Sequence, residues 1–302
     1  MWIWKDSAEI DREEWDQKIL KNPDHRIEAL SWYLDAVSDQ WGALFLFEKD
    51  IRIPVSFKKN WSLKMAYRAP FTQQHHFIGD EIPNQLLIEK LTASLTNQFN
   101  CGKYCLNYFI PDTQRRTNLV VDLEDYRLRD EEMYSSHHKR RVKRSLSNEL
   151  SIDFLVTESE FLNWIDRFQK ENGSIEGLNR IALEKLTSQL FLHKKGFVVA
   201  ARNAKNEIIA LCLLSDNGHR IVNLMSLSNL EGKKKIAMYG ILHTVLQQFK
   251  NVRQIFDFEG SDLQGVKQFY QGFGPVTEPY FEISWNQHWF CSLKDLLKKW
   301  IY

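Results

Sequence analysis

The sequence contains no run of about 18 consecutive apolar residues, the length a membrane-spanning helix needs, so no such helix is expected. It also lacks net charge. Forty Lys and Arg face 39 Asp and Glu, leaving +1, and no global field marks the chain as a partner for DNA or for a membrane. An anionic ligand must therefore be met by local patches. Cysteine is scarce: Cys101, Cys105, Cys212 and Cys291 are scattered, as expected in a reducing compartment, and Cys101 and Cys105 have no second pair at zinc spacing. The opening MWIWKDSAEIDREEWD has neither the basic nor the apolar region of a signal peptide. The GxxxxGK[ST] phosphate loop, the Gly-x-Ser-x-Gly elbow and the His-Glu-x-x-His pair are all missing. His75-His76 and His137-His138 are adjacent pairs, whose side chains diverge on a strand or helix, so joint metal binding is not expected. These absences predict a cytoplasmic protein with no metal.

What is present is aromatic and periodic. Nineteen Phe, ten Tyr and ten Trp make 13% of the chain, which excludes disorder, and 302 residues suggest two domains. The two halves carry the same signals in the same order. Gly42–Phe47 and Ile51–Phe57 read as a hairpin, Leu63–Tyr67 as a third strand, Gln85–Phe99 as a helix with Asn84 as its cap, and Lys103–Phe109 as the next strand. Thr117–Leu123 is a further strand. Gly196–Ala201, Ile208–Leu214, Ile221–Leu227, the helix Ile236–Phe249 and the strand Gln254–Phe258 repeat that series. The offsets are 196 − 42 = 154, 236 − 84 = 152 and 254 − 103 = 151. A duplicated α/β unit is the simplest account.

Asp130 to Glu149, DEEMYSSHHKRRVKRSLSNE, separates the halves, with acids first and bases after, in the sense of a helix macrodipole. A single linking helix is predicted. Further helices are expected from Ser159 and over Leu183–Leu192, and a terminal one over Leu293–Trp300. The absence of a Pro/Gly/Ser-rich linker argues for rigid packing of the halves around a substrate groove.

The densest chemistry lies in Gln254–Gly274, QIFDFEGSDLQGVKQFYQGFG. A strand delivers Asp257 and Glu259 to its end, a helix with Val266, Phe269 and Tyr270 on one face follows, and Gly272 is expected to stop it with a positive φ. The meander, helix, strand, helix order of each half resembles the GNAT acyltransferase fold. Two such units in tandem, with FDFEGS and FYQGFG near the end, resemble the FemABX family. Ala29–Val37 (with Trp32 after a Ser), Thr117–Leu123 and Lys139–Arg144 resemble that family's early helix, last first-domain strand and basic linking helix.

The resemblance implies a fold of α/β class: two tandem GNAT-like units, each a mixed, mostly antiparallel sheet flanked by helices. Residues 1–128 and 148–302 would form the units and 129–147 the basic link. It implies an acyl- or aminoacyltransferase moving an amino acid from aminoacyl-tRNA to the amine of a peptidoglycan-type precursor, without a required cofactor. A transient contact with a membrane surface is compatible with it. A CoA-dependent N-acetyltransferase and a non-catalytic glycan- or peptide-binding protein are the alternatives. Acetyl-CoA is disfavoured because Leu230–Ala237 has only Gly232 to relax a pyrophosphate-binding turn.

Candidate site residues follow. Asp257 or Glu259 could accept the proton of an attacking amine, and Tyr270 or Tyr239 could donate to the leaving group. Lys233, Lys234 and Lys235 suit a phosphate group as point charges, or are a solvated cluster. Arg140, Lys143 and Arg144 share a helix face suited to phosphates, or to pairing with Asp130, Glu131 and Glu132. Tyr67, Arg68, Gln73, Gln74 and Trp32 are candidates for binding the substrate, as is the matching loop Ser226–Leu230 in the second half.

Overall fold

The computed structural model describes residues 1–22, 25–60, 63–81, 84–175, 177–260 and 263–286; the expected Leu293–Trp300 helix lies outside them. In chain order the elements are β1 (Ile3–Asp6), α1 (Arg12–Leu20), α2 (Ser31–Val37), β2 (Gln40–Leu46), β3 (Ile51–Asn60), β4 (Leu63–Ala66), α3 (Gln85–Gln98) and β5 (Cys101–Leu106). Then come β6 (Gln114–Asp122), α4 (Leu123–Arg129), α5 (Ser136–Leu146), β7 (Ser151–Val156), α6 (Glu158–Asn172), α7 (Arg180–Leu192), β8 (Gly196–Arg202) and β9 (Ile208–Asp216). The last are β10 (Arg220–Ser228), α8 (Leu230–Lys234), α9 (Ala237–Phe249), β11 (Ile255–Asp257), α10 (Gln264–Gln271) and β12 (Val276–Asn286).

The chain forms two compact units, Met1–Arg116 with the segment from Pro279, and Thr117–Glu278. In the first unit the strand order is β1-β2-β3-β4-β5-β12, and in the second β7-β8-β9-β10-β11-β6. Both are antiparallel except at β4–β5 and β10–β11, the parallel pairs that α3 and α9 connect. β2 with Gly42 and β8 with Gly196 are each the second strand of their order, as the matched offsets predict. The sixth strands are exchanged. β6 follows β5 along the chain yet pairs with β11, while β12 follows β11 yet pairs with β5. This exchange is why the boundaries fall at 116/117 and 278/279 rather than around a separate 129–147 link.

Alternating apolar residues build the sheets and helical spacing covers them. α3 turns Ile88, Leu91 and Leu95 onto the first sheet, in a core with Leu44, Ile53, Val55 and Tyr104. α9 does the same in the second unit, burying Ala237, Ile241, Val245 and Leu246 in a core with Val199, Cys212 and Phe256. Pro54 sits in β3 opposite Ala43, outside the stretch of β3 that pairs with β4, so its missing N–H costs no ladder bond there.

Three local expectations change. The predicted 130–149 helix is two elements: a 3-10 turn over Asp130–Met133, opening on Asp130 at φ +52 just past α4, and then α5, which begins after a Ser135 cap. Gly272 has φ −69; the left-handed residue is Gly274, at φ +79. Gly272 is small for another reason, since a Cβ there would lie 1.9 Å from the His138 ring. Finally, the three lysines do not start α9. Lys233 and Lys234 end the unexpected helix α8, and Lys235 follows it.

Candidate active site in the second unit

β10 and β11 pair over three residues, Arg220–Val222 with Ile255–Asp257, and then part. β10 continues to Ser228 along β9, with a bulge between Asn223 and Met225, while β11 stops at Asp257. Leu224–Ser228 are half-exposed along the resulting fork. A crevice at the carboxyl end of a parallel pair is the usual ligand position in α/β sheets. Just past β11, Glu259 is held at φ +55, a conformation that side chains other than Gly rarely adopt and that clusters at functional sites.

The wall of this fork is polar and ordered. Asn223 Nδ2 donates to Tyr270 Oη at 3.2 Å, Ser226 Oγ donates to Asn223 Oδ1 at 2.9 Å, and Cys212 Sγ lies 3.2 Å from Ser226 Oγ. Tyr270 is 7% exposed and its ring stacks on Phe258 at 4.5 Å. Burial pushes the Tyr270 phenol up to about 12, so it carries its proton at neutral pH. Burial likewise pushes the Cys212 thiol up to about 12, which makes it a poor nucleophile. Tyr239, the second candidate donor, is half-buried on α9 against His138 and Phe269, and burial raises its pKa too.

The two candidate carboxylates differ sharply. Asp257 Oδ2 accepts from Arg220 Nη1 at 2.8 Å, and its Oδ1 accepts from the Glu259 amide at 2.8 Å. Arg220 also holds Glu278, at 3.2 Å. With both oxygens engaged, one by the Arg220 guanidinium and one by a backbone amide, Asp257 ties the strand end together. Glu259 is half-exposed at the mouth of the fork.

α5 crosses this region on its buried face. His138 Nε2 donates to Phe269 O at 2.8 Å, Ser145 Oγ accepts from Gly240 N at 3.2 Å, and Asn148 Nδ2 donates to Lys235 O at 2.9 Å. Its other face presents Lys139, Arg140, Lys143 and Arg144, all exposed and without an ion pair among the described residues. The nearby acids have other partners: Asp130 binds Lys250 at 3.0 Å, and Glu131 faces His243 at 3.6 Å. Lys233 and Lys234 are also exposed, whereas Lys235 pairs with Glu231 at 3.3 Å. His137 is exposed and His138 buried, so that pair does diverge.

In the first unit the equivalent strands, β4 and β5, also part, after Ala66 and Gly102. Here the chain itself returns. His75 bridges to Leu106, its N–H donates to Cys105 O at 2.8 Å, and its ring lies flat on Tyr104 at 4.9 Å. Of the candidates on this loop, Tyr67 Oη accepts from the Asp39 amide at 2.8 Å, and burial raises its phenol to about 12. Arg68 is exposed, Gln73 is half-buried and Gln74 is buried. Trp32 is half-exposed on α2 with its ring 5.8 Å from that of Tyr33. Ser226–Ser228, expected in the matching loop, belong to β10 instead.

No protein-family model matches the chain, and no curated protein matches its sequence. Solved structures do. FemX superposes with a TM-score of 0.64 at 12% identity, over 92% of this chain and 97% of FemX. The C-terminal domain of a putative lysylphosphatidylglycerol synthetase from Agrobacterium fabrum gives 0.61 at 12% identity, over 95% and 96%. A tandem GNAT protein from the clavulanic acid biosynthesis pathway gives 0.51 at 8% identity, over 94% and 98%. The fold is that of the FemABX-like tandem GNAT proteins. Within that fold β10 of the second unit runs on past β11 with Leu224–Ser228 half-exposed, whereas in the first unit the His75 segment pairs with β5 beyond Gly102.

Asn223, Cys212 and Arg220 were not singled out as site residues by the sequence, and Ser226 was expected only as part of a substrate-binding loop. The one signal was Asn223 itself, a lone amide inside the otherwise apolar IVNLM of β10.

Proposed function

We propose that the chain is an acyltransferase acting in its second unit, moving an aminoacyl group from the oxygen ester of an aminoacyl-tRNA to the amine of a peptidoglycan-type precursor. The observation that carries this is Tyr270, a buried phenol hydrogen-bonded inside the fork and still protonated at neutral pH. In the step, the neutral amine forms a C–N bond at the ester carbonyl and the C–O bond to the ribose breaks. The amine's surplus proton goes to Glu259 or to water. The departing oxygen takes the Tyr270 proton, and the phenolate regains one from solvent.

The leaving group selects the donor class. An alkoxide is a strong base and leaves only with a proton, which a phenol at about 12 can supply. A thiolate of ordinary pKa, about 8.5, leaves without one. The unpaired basic face of α5 supports a polyanionic donor in the same direction. Two of the similar structures, FemX and the putative lysylphosphatidylglycerol synthetase domain, agree with a reading as aminoacyl transfer.

Coenzyme A as donor is favoured by one feature. α9 starts at Ile236, at φ +50, with no side-chain cap, and a bare helix N-terminus attracts pyrophosphate. Incubation with charged tRNA and cell-wall precursors, followed by weighing the products, tests the proposal. Micromolar acetyl-CoA binding in calorimetry that survives physiological salt would reverse the choice of donor.

A further inference from the structure

The hydroxyl of Tyr270 is the last of a line of polar groups that begins at Ser226 on β10 and passes through the buried Asn223. We infer that Ser226 and Asn223 form a one-directional hydrogen-bond relay that aims the Tyr270 proton into the fork, both acting as positioning residues; this rests on the reading of Tyr270 as proton donor.

The direction follows from counting protons. Ser226 has a single hydroxyl proton and spends it on Asn223 Oδ1, 2.9 Å away. Cys212 Sγ lies 3.2 Å from Ser226 Oγ but directs its one proton to Met238 Sδ at 3.3 Å, so the line starts at Ser226. With its oxygen engaged by Ser226, Asn223 turns Nδ2 to Tyr270 Oη at 3.2 Å. The phenol oxygen accepts there, so its own proton points elsewhere. Three further constraints hold the line still. Asn223 is 4% exposed, it borders the β10 bulge, and the Tyr270 ring is pinned on Phe258. When Tyr270 gives up its proton, the charge left on Oη faces the Asn223 N–H. The same bond that orients the phenol therefore stabilises the phenolate. A reversed line, with Tyr270 donating to Asn223 Oδ1, would withdraw the proton from the fork, so its polarity matters as much as its presence.

The test is Asn223→Asp, which keeps the shape but can only accept at that position. Single-turnover transfer from an unfractionated pool of charged tRNA is followed together with the ¹³Cζ resonance of Tyr270 at neutral pH, a probe of whether the hydroxyl donates or accepts. Asn223→Asp is expected to lower kcat roughly ten-fold or more with KM unchanged, about the effect of one net hydrogen bond, and to shift the resonance. Ser226→Ala should move both readouts in the same direction by less, and Ser226→Thr should restore them. A resonance unmoved in Asn223→Asp and Ser226→Ala overturns the relay, whatever the rates. Should Tyr270→Phe transfer at the wild-type rate while the resonance responds as expected, the relay stands and the donor role of Tyr270 falls.

Discussion

Arg220 Nη1 lies 2.8 Å from Asp257 Oδ2, with the two side chains only 3% and 2% exposed. Breaking a buried pair strands a charge, at a cost of about 3–5 kcal/mol. Glu278 still faces the guanidinium, so Asp257→Asn should destabilise the protein by about 3 kcal/mol in urea unfolding, at the low end of that range. Wild-type stability together with abolished transfer would instead make Asp257 the catalytic base.

Tyr270→Phe removes the phenol hydroxyl and keeps the ring. Transfer should fall by about 10²-fold or more, while stability drops by roughly 1 kcal/mol for the lost bond from Asn223. Rates from a thioester probe should fall less than those from charged tRNA, because the thiolate needs no proton.

Arg140→Glu with Arg144→Glu reverses charge on an exposed face. Binding of tRNA should weaken by ~1.5–3 kcal/mol per lost charged hydrogen bond, and its dependence on salt should flatten. Thermal stability should stay within about 0.5 kcal/mol of wild type. Lost stability with unchanged tRNA affinity would assign these arginines to structure.

Two glycines near the fork should behave oppositely. A Cβ at Gly272 would meet the His138 ring at 1.9 Å, whereas Gly265, inside α10, has nothing within 4 Å. Gly272→Ala should cost about 1–3 kcal/mol by overpacking, and Gly265→Ala should stabilise by about 0.4–1 kcal/mol. Denaturant midpoints of the two variants check both signs.

His75 gives a pH dependence. It is 3% exposed, neither ring nitrogen has a hydrogen-bond partner among the described residues, and burial pulls its pKa down from 6.5 to about 4. Above about 6.5 both folded and unfolded chains are neutral at this ring, and its full stability is present. As pH falls toward 4 the unfolded chain binds a proton that the fold refuses, and about 3 kcal/mol is lost. His75→Phe should flatten the stability profile between pH 4 and 6.5. Coincident slopes for the two proteins would show that the ring protonates freely in the fold.

Apolar alternation located β2, β3 and β8 to β11, and helical spacing located α3, α6, α7 and α9, because each of these elements buries apolar residues at the spacing of its own period. β1, β7 and β12 were not legible. β7 is at most half-buried except at Val156, and Pro279 within β12 reads as a strand breaker. The helix break at Asp130 was hidden because a left-handed Asp leaves no compositional mark. Tyr270 and Glu259 were legible as candidates from the strand–helix pattern. Their partners were not, since Asn223 and Ser226 meet Tyr270 only through the folding of β10 onto α10.

The exchange of β6 and β12 bears on how the protein is made. β5 pairs with β12 through contacts such as Cys105 with Glu282, so the N-terminal sheet waits for the far end of the chain. A ribosome would release almost the whole polypeptide before that sheet could close, and contacts so distant in sequence form slowly. β5 would meanwhile present an unpaired edge to whatever is nearby. Nor could either half be borrowed alone as a cassette: a cut near residue 130 leaves each fragment carrying the other's sixth strand.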